Sequence, residues 1–117
     1  MSYWVTLVDL QTESPAKVAK HAEGGTAVVG GTNLAELNVT YNYSPHFYRY
    51  LDPASGLRWL AGKRASETVE RLDLAVAKLG VEKNENYWMA TTGNAGAALA
   101  TLLAWAREYP DGIWEVT

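Results

Sequence analysis

Two sets of residues have the types and spacing to do chemistry. The first is the run Asn38, Thr40, Asn42 and Tyr43, in which polar side chains alternate with Leu37, Val39 and Tyr41. Alternate residues of a strand share a face, so amides and a hydroxyl would line one side. Such a row either grips a polar ligand or faces water, as antiparallel sheets commonly do. The second set is a pair of helix starts rich in small residues. One is Ala61-Gly62-Lys63-Arg64; the other runs from Tyr87-Trp88 through Thr91-Thr92-Gly93-Asn94-Ala95-Gly96. The first N–H groups of a helix lack partners and favour anions, and small residues let a ligand approach them. The competing reading is ordinary: two solvated cations at one start, and at the other a capped helix whose glycines permit close packing on a sheet. If both starts open on one sheet edge near Asn42 and Tyr43, they frame a polar, aromatic pocket for a phosphate or carboxylate. Tyr and Trp faces could stack on a base. The candidate ligand-binding residues are therefore Asn38, Thr40, Asn42, Tyr43, Lys63, Arg64, Tyr87, Trp88, Thr92 and Asn94.

Other chemistry finds less support. His21 and His46 stand far apart, with no metal-ligand spacing around either. There is no cysteine, which removes thiolate metal sites, disulfides and cysteine nucleophiles. Gly62-Lys63 lacks the spacing of a phosphate loop, and no Ser sits in a nucleophile elbow. Glu67, Glu70 and Asp73 lie at salt-bridge spacing from Arg71 and Lys78, the pattern of a solvated helix face. No catalytic residue, metal or cofactor is assigned, and a metal-free enzyme ranks last among the readings.

The chain of 117 residues predicts one domain with a core of its own. A net charge of −3 argues against general nucleic-acid binding. No apolar run is long enough to span a membrane and the N-terminus lacks a secretory pattern, which predicts a cytosolic protein without membrane contact. Five Trp and seven Tyr against one Phe is the compositional oddity. Both residues carry a polar tip on an apolar body and are enriched at binding surfaces.

The elements that must position these residues follow from periodicity. Residues 3–10 read as a strand, apolar on both sides and so expected to be covered on both faces. Residues 14–25 lean to a helix from Ser14-Pro15 to Gly24, with an extended ribbon as the alternative. Residues 26–29 and 34–43 read as strands, 45–51 as a short helix, and 57–60 as a short apolar piece. Helices are predicted over 63–79 and 94–108, the second capped by Asn94. Residues 113–116 close the chain as a strand able to return beside the first. The order predicts an α+β fold: a mainly antiparallel sheet of about four to five strands with the helices packed on one face. The Gly-rich stretch 24–31 could form an exposed arm that pairs with a second copy, so a homodimer is a further expectation.

Taken together, Asn38-Val39-Thr40-Tyr41-Asn42, the aromatic helix after it, Leu60-Ala61-Gly62-Lys63, Tyr87-Trp88, Thr92-Gly93-Asn94-Ala95-Gly96 and Pro110 before the last strand resemble a group of small uncharacterised proteins of phages and bacterial mobile elements. This chain departs from that pattern in having Asn94-Ala95-Gly96 where the others have Asn-Gly-Trp-Gly, and in its Gly-rich stretch over 16–34. The resemblance implies strand rather than helix for 16–34, and a phage or mobile-element origin. It brings no activity. Small phage accessory proteins often act by binding, so it suits a non-enzymatic module, accessory or anti-defence, that takes a small anionic or nucleotide ligand in the host cytosol. The alternative is an inhibitor or interaction domain that grips a host protein through exposed Tyr and Trp.

Overall fold

The computed structural model describes residues 1–26 and 29–117. The fold is α+β, with three α-helices on an antiparallel sheet. Strand β1 (Ser2–Asp9) is central. Along one edge it pairs with β6 (Ile113–Val116), Val5 opposite Val116 and Val8 opposite Ile113. Along the other it pairs first with β5 (Glu36–Thr40), Ser2 opposite Thr40, and then with β2 (Ser14–Pro15), Val8 opposite Pro15. Tyr3, Val5 and Leu7 are buried, whereas Trp4 is 44% exposed. The expectation that β1 is covered on both faces is therefore corrected. Its outer side chains, Trp4 and Thr6, lie opposite Asn38, Glu36 and Glu115, and a face carrying two carboxylates is not one a second layer could bury cheaply.

The helix reading of residues 14–24 also gives way. The segment is extended, as β2 and then β3 (Lys17–His21), which pairs with β4 (Thr32–Leu34) in a separate two-stranded ribbon. Over 16–19 the pattern alternates, Ala16 and Val18 buried and Lys17 and Ala19 exposed, so a period of two sets the outcome. The Ala16 N–H donates to Leu7 O and its carbonyl accepts from Ala35 N, bonds a helix would forfeit. The expected strand at 26–29 falls partly on residues 27 and 28, which lie outside the described residues. Of the expected arm at 24–31, the first residues fold back: Gly24 bridges in parallel to Asn38, and Gly25 N donates to Asn38 O.

The strand expected over 34–43 breaks after Thr40. A 3₁₀ turn at Tyr41–Tyr43, capped by Thr40 Oγ1, leads into α1 (Ser44–Tyr50) with Pro45 in its first turn. Asn42 thus leaves the strand row that holds Asn38 and Thr40. After a second 3₁₀ stretch at Gly56–Leu60, α2 (Ala65–Leu79) begins two residues later than predicted, with Lys63 and an extended Arg64 ahead of it. They hold the outer edge of β6: Trp114 N donates to Lys63 O, and Arg64 bridges to Ile113.

Helix α3 (Thr92–Glu108) is capped by Thr91, whose Oγ1 accepts from Asn94 N, rather than by Asn94. It runs antiparallel to α2. A Cβ on Gly96 would stand 1.7 Å from the Gly80 carbonyl oxygen, and one on Gly93 1.9 Å from that of Glu82. At the far end Ser66 N donates to Pro110 O. The glycines of the α3 start therefore do permit close packing, but on the end of α2 and the chain after it rather than on a sheet. Leu37, Phe47, Leu72, Leu99 and Trp114 fill the space between the layers, and the Trp114 indole N–H is satisfied by Thr68 Oγ1 at 3.0 Å. No helix among the described residues is long and apolar enough to cross a membrane.

Candidate functional site

The candidate residues of β5, the 3₁₀ turn and the α3 start converge on the loop before α3. The convergence is a clasp. Five consecutive carbonyls of that loop each accept a hydrogen bond from a side chain. Asn94 Nδ2 donates to Asn86 O at 3.1 Å and to Met89 O at 2.9 Å. The Tyr43 hydroxyl donates to Tyr87 O. Asn42 Nδ2 donates to Trp88 O at 2.9 Å. His46 Nε2 meets Ala90 O at 2.8 Å; a carbonyl only accepts, so that nitrogen carries the proton. The loop is braced internally as well: Asn84 Oδ1 accepts from Asn86 N, Asn86 Oδ1 from Trp88 N, and Asn94 Oδ1 from Asn84 N.

Tyr87 ties this loop to the sheet. Its hydroxyl accepts from Thr40 N at 3.0 Å and donates to Asn38 O at 3.2 Å, standing where a further strand would pair with β5. Beside it, Gly25 N donates to Asn38 O, and Thr26 Oγ1 accepts from Asn38 N. The Asn38 amide itself donates to Ser2 Oγ at 2.7 Å. Burial raises the Tyr87 hydroxyl above the usual phenol range, against the lowering effect of the Thr40 and Gly25 N–H groups. Burial, and then the neighbouring Tyr87, raise Tyr43 as well. Both hydroxyls stay protonated at neutral pH and act as structural hydrogen-bonding groups rather than as bases.

The aromatic rings continue the clasp outward. Tyr43 and Tyr87 meet edge to face with centroids 5.6 Å apart, and Tyr87 and Trp88 do the same at 5.1 Å. Tyr43 is buried, Tyr87 half-buried, Trp88 58% exposed and Met89 49% exposed. The loop backbone is held, while its two largest apolar side chains face solvent.

The structure thus brings Asn38, Thr40, Asn42, Tyr43, Tyr87, Trp88 and Asn94 together. Thr92 is an exposed residue of the first α3 turn beside them. Lys63 and Arg64 lie elsewhere. Helix α2 has 15 residues, about 21 Å at 1.5 Å per residue, and its start sits at the end of α3, not at the beginning. The Lys63 ammonium donates to Trp59 O at 2.7 Å and rests 4.7 Å from the Trp59 ring centroid, with the Arg71 guanidinium 4.3 Å from the same ring. The two helix starts do not frame one pocket. His46 and Thr91 belong to the clasp and were not among the candidates. The signal for His46 was its spacing from Asn42 and Tyr43, four and three residues, which on a helical turn puts all three on one side.

Beside the clasp lies a cleft of about 200 Å³. Leu37, Tyr43 and Tyr87 form one wall, and Asn94, Ala97, Ala98 and Thr101 of α3 the other. Lys83 and Glu23 meet across its mouth, Nζ to Oε2 at 2.8 Å. Among the described residues, no buried side-chain nitrogen or oxygen lacks a partner, and no three His, Asp or Glu residues are grouped to hold a metal. No protein-family model, curated protein or solved structure matches this chain.

Proposed function

We propose that this protein is a non-enzymatic binding module that engages a protein partner through Trp88 and Met89. The observation that carries the reading is the state of the loop: carbonyls 86–90 all accept from side chains, yet Trp88 and Met89 remain exposed. Binding costs less when the contact loop is already in its bound shape. A Trp held in place, with Met beside it, is the kind of anchor that dominates interfaces. The amides and hydroxyls expected to grip a ligand are occupied in holding this loop, which favours the interaction reading over a polar nucleotide site.

The chemistry of the loop describes the partner surface. It presents an apolar pocket that takes the Trp88 indole, with hydrogen-bonding groups around it to meet exposed Asn84, Glu85 and Asn86. The resemblance to phage proteins supports a host protein as that partner. The test is affinity capture from bacterial lysate by the wild type and by Trp88→Ala, with melting temperature as the control. Trp88 is mostly exposed and packs on Tyr87 by one edge, so the variant should melt within a few degrees of the wild type. Loss of a hot-spot residue weakens binding by about 2 kcal/mol or more, roughly 30-fold, and the partner should disappear from the eluate. Equal capture by both proteins would overturn the reading.

A further inference from the structure

We propose that the cleft between α3 and the Tyr43–Tyr87 pair is a separate binding site for a small monocarboxylate with a flat apolar body, whose charge is taken by Lys83. This goes beyond the partner surface: Tyr43, Tyr87 and Asn94 of the clasp line the cleft, but Trp88 and Met89 do not. The α3 residues facing the cleft are small, Ala97, Ala98 and Thr101, and leave the space open against Leu37 and Tyr87. The polar atoms of its tyrosines and of Asn94 are engaged by the backbone of β5 and of the loop, so on these two walls ring edges, methyl groups and an alkyl chain meet an occupant, while Ala22, Glu23, Gly24 and Lys83 complete a partly polar lining. That interior selects an apolar body. The volume of about 200 Å³ falls below the ~300–1,000 Å³ of drug-sized sites, which suits one ring with a short acid arm.

The mouth supplies the charge selection. Glu23 comes from the loop folded over the edge of β5, and Lys83 from the connection between α2 and α3. Their side chains are 40% and 60% exposed, and ion pairs so open to water hold little energy. A ligand carboxylate can therefore replace Glu23 as the partner of Lys83 at small cost. An ammonium ligand would have Glu23 instead, but it would sit against the positive end of α3, from which Asn94 and Ala97 line the wall. The tyrosines stay neutral, so Lys83 and Glu23 are the charges that face an occupant.

The test is calorimetric titration of the full-length protein with phenylacetate, phenylacetamide and phenethylamine. Phenylacetate should bind at least tenfold tighter than the neutral amide, and the amine weakest. Lys83→Met should remove the preference for the acid, and Glu23→Gln should tighten phenylacetate severalfold by removing its competitor. Both substitutions are at the surface, so folding is not at stake. Thr101→Leu, which fills the cleft, should abolish binding of all three. Equal affinity for acid and amide, or an unchanged Lys83→Met, would overturn the charge assignment. Absence of binding by all three probes would overturn the cleft as a site. Neither outcome touches capture through Trp88.

Discussion

Tyr87 shows how a candidate ligand residue becomes a structural one. Its ring stands on the edge of β5. Its hydroxyl takes up Thr40 N–H, which would otherwise need water or another strand, and gives Asn38 C=O a second donor beside Gly25 N. Tyr87→Phe keeps the ring and removes both bonds. The expected loss is about 1–3 kcal/mol, a fall of several degrees in melting temperature. The same group sets an alkaline limit. The folded state raises the hydroxyls of Tyr43 and Tyr87 above the unfolded value of about 10. Between the unfolded and folded values the native state holds more protons, so stability falls as pH rises. The wild type should hold its melting temperature up to about pH 10 and lose it beyond, and Tyr87→Phe should lose less. Melting curves from pH 8 to 11 on both proteins check this; a steeper alkaline loss in the variant would contradict it. At this scale the sequence revealed which residues belong together better than what they do. Asn38, Asn42 and Asn94 are chosen by their amides, and an amide serves a ligand or a carbonyl equally well. Lys63 misled because its ammonium is engaged by Trp59, four residues earlier, a pairing that spacing permits but does not announce.

Among the elements, the two main helices were legible because their apolar periodicity is long and their stops are Gly80 and Pro110. Their starts were not. Thr91, Thr92 and Asn94 are all able to cap, and the choice of Thr91 depends on Asn94 being pulled into the loop. The ribbon at Lys17–His21 was ambiguous for a related reason: Ser14-Pro15 is a good helix start, and what defeats it is distant, the Ala16 bonds to Leu7 and Ala35 and the seating of His21 against Trp105 at 5.1 Å. The close approach of α3 to α2 makes a sharp prediction. Ala is worth about 1 kcal/mol more than Gly in a helix interior, so Gly96→Ala should stabilise if only the helix mattered. A Cβ there would meet the Gly80 carbonyl, which is backbone and cannot swing aside. Overpacking of this kind costs about 1–3 kcal/mol, and the net change should be destabilising. Urea unfolding should show a lower midpoint for Gly96→Ala; a higher one would mean that the helices are not in contact there.

The whole molecule has helices on one face of its sheet and open strands on the other. Both edges of the main sheet are partly covered. Residues 62–64 cover β6, and Gly24–Thr26 with the Tyr87 hydroxyl cover β5. Such covering shortens the unpaired rows that invite strand-to-strand association. At the α3 start the exposed surface is a loop held from several elements at once. The central claim is that this loop is rigid although it is exposed. Opening energies across a protein range from near zero in loose loops to the full unfolding energy in the core. Native-state hydrogen exchange over the whole chain ranks the amides of Trp88, Met89 and Thr91, which donate to Asn86 Oδ1, Asn86 O and Met89 O. The clasp predicts that they open with α3, and that Asn94→Ala moves them to the level of the charged connection at 81–83. Free exchange of these amides in the wild type would mean that Trp88 is not held in place, and would contradict the account.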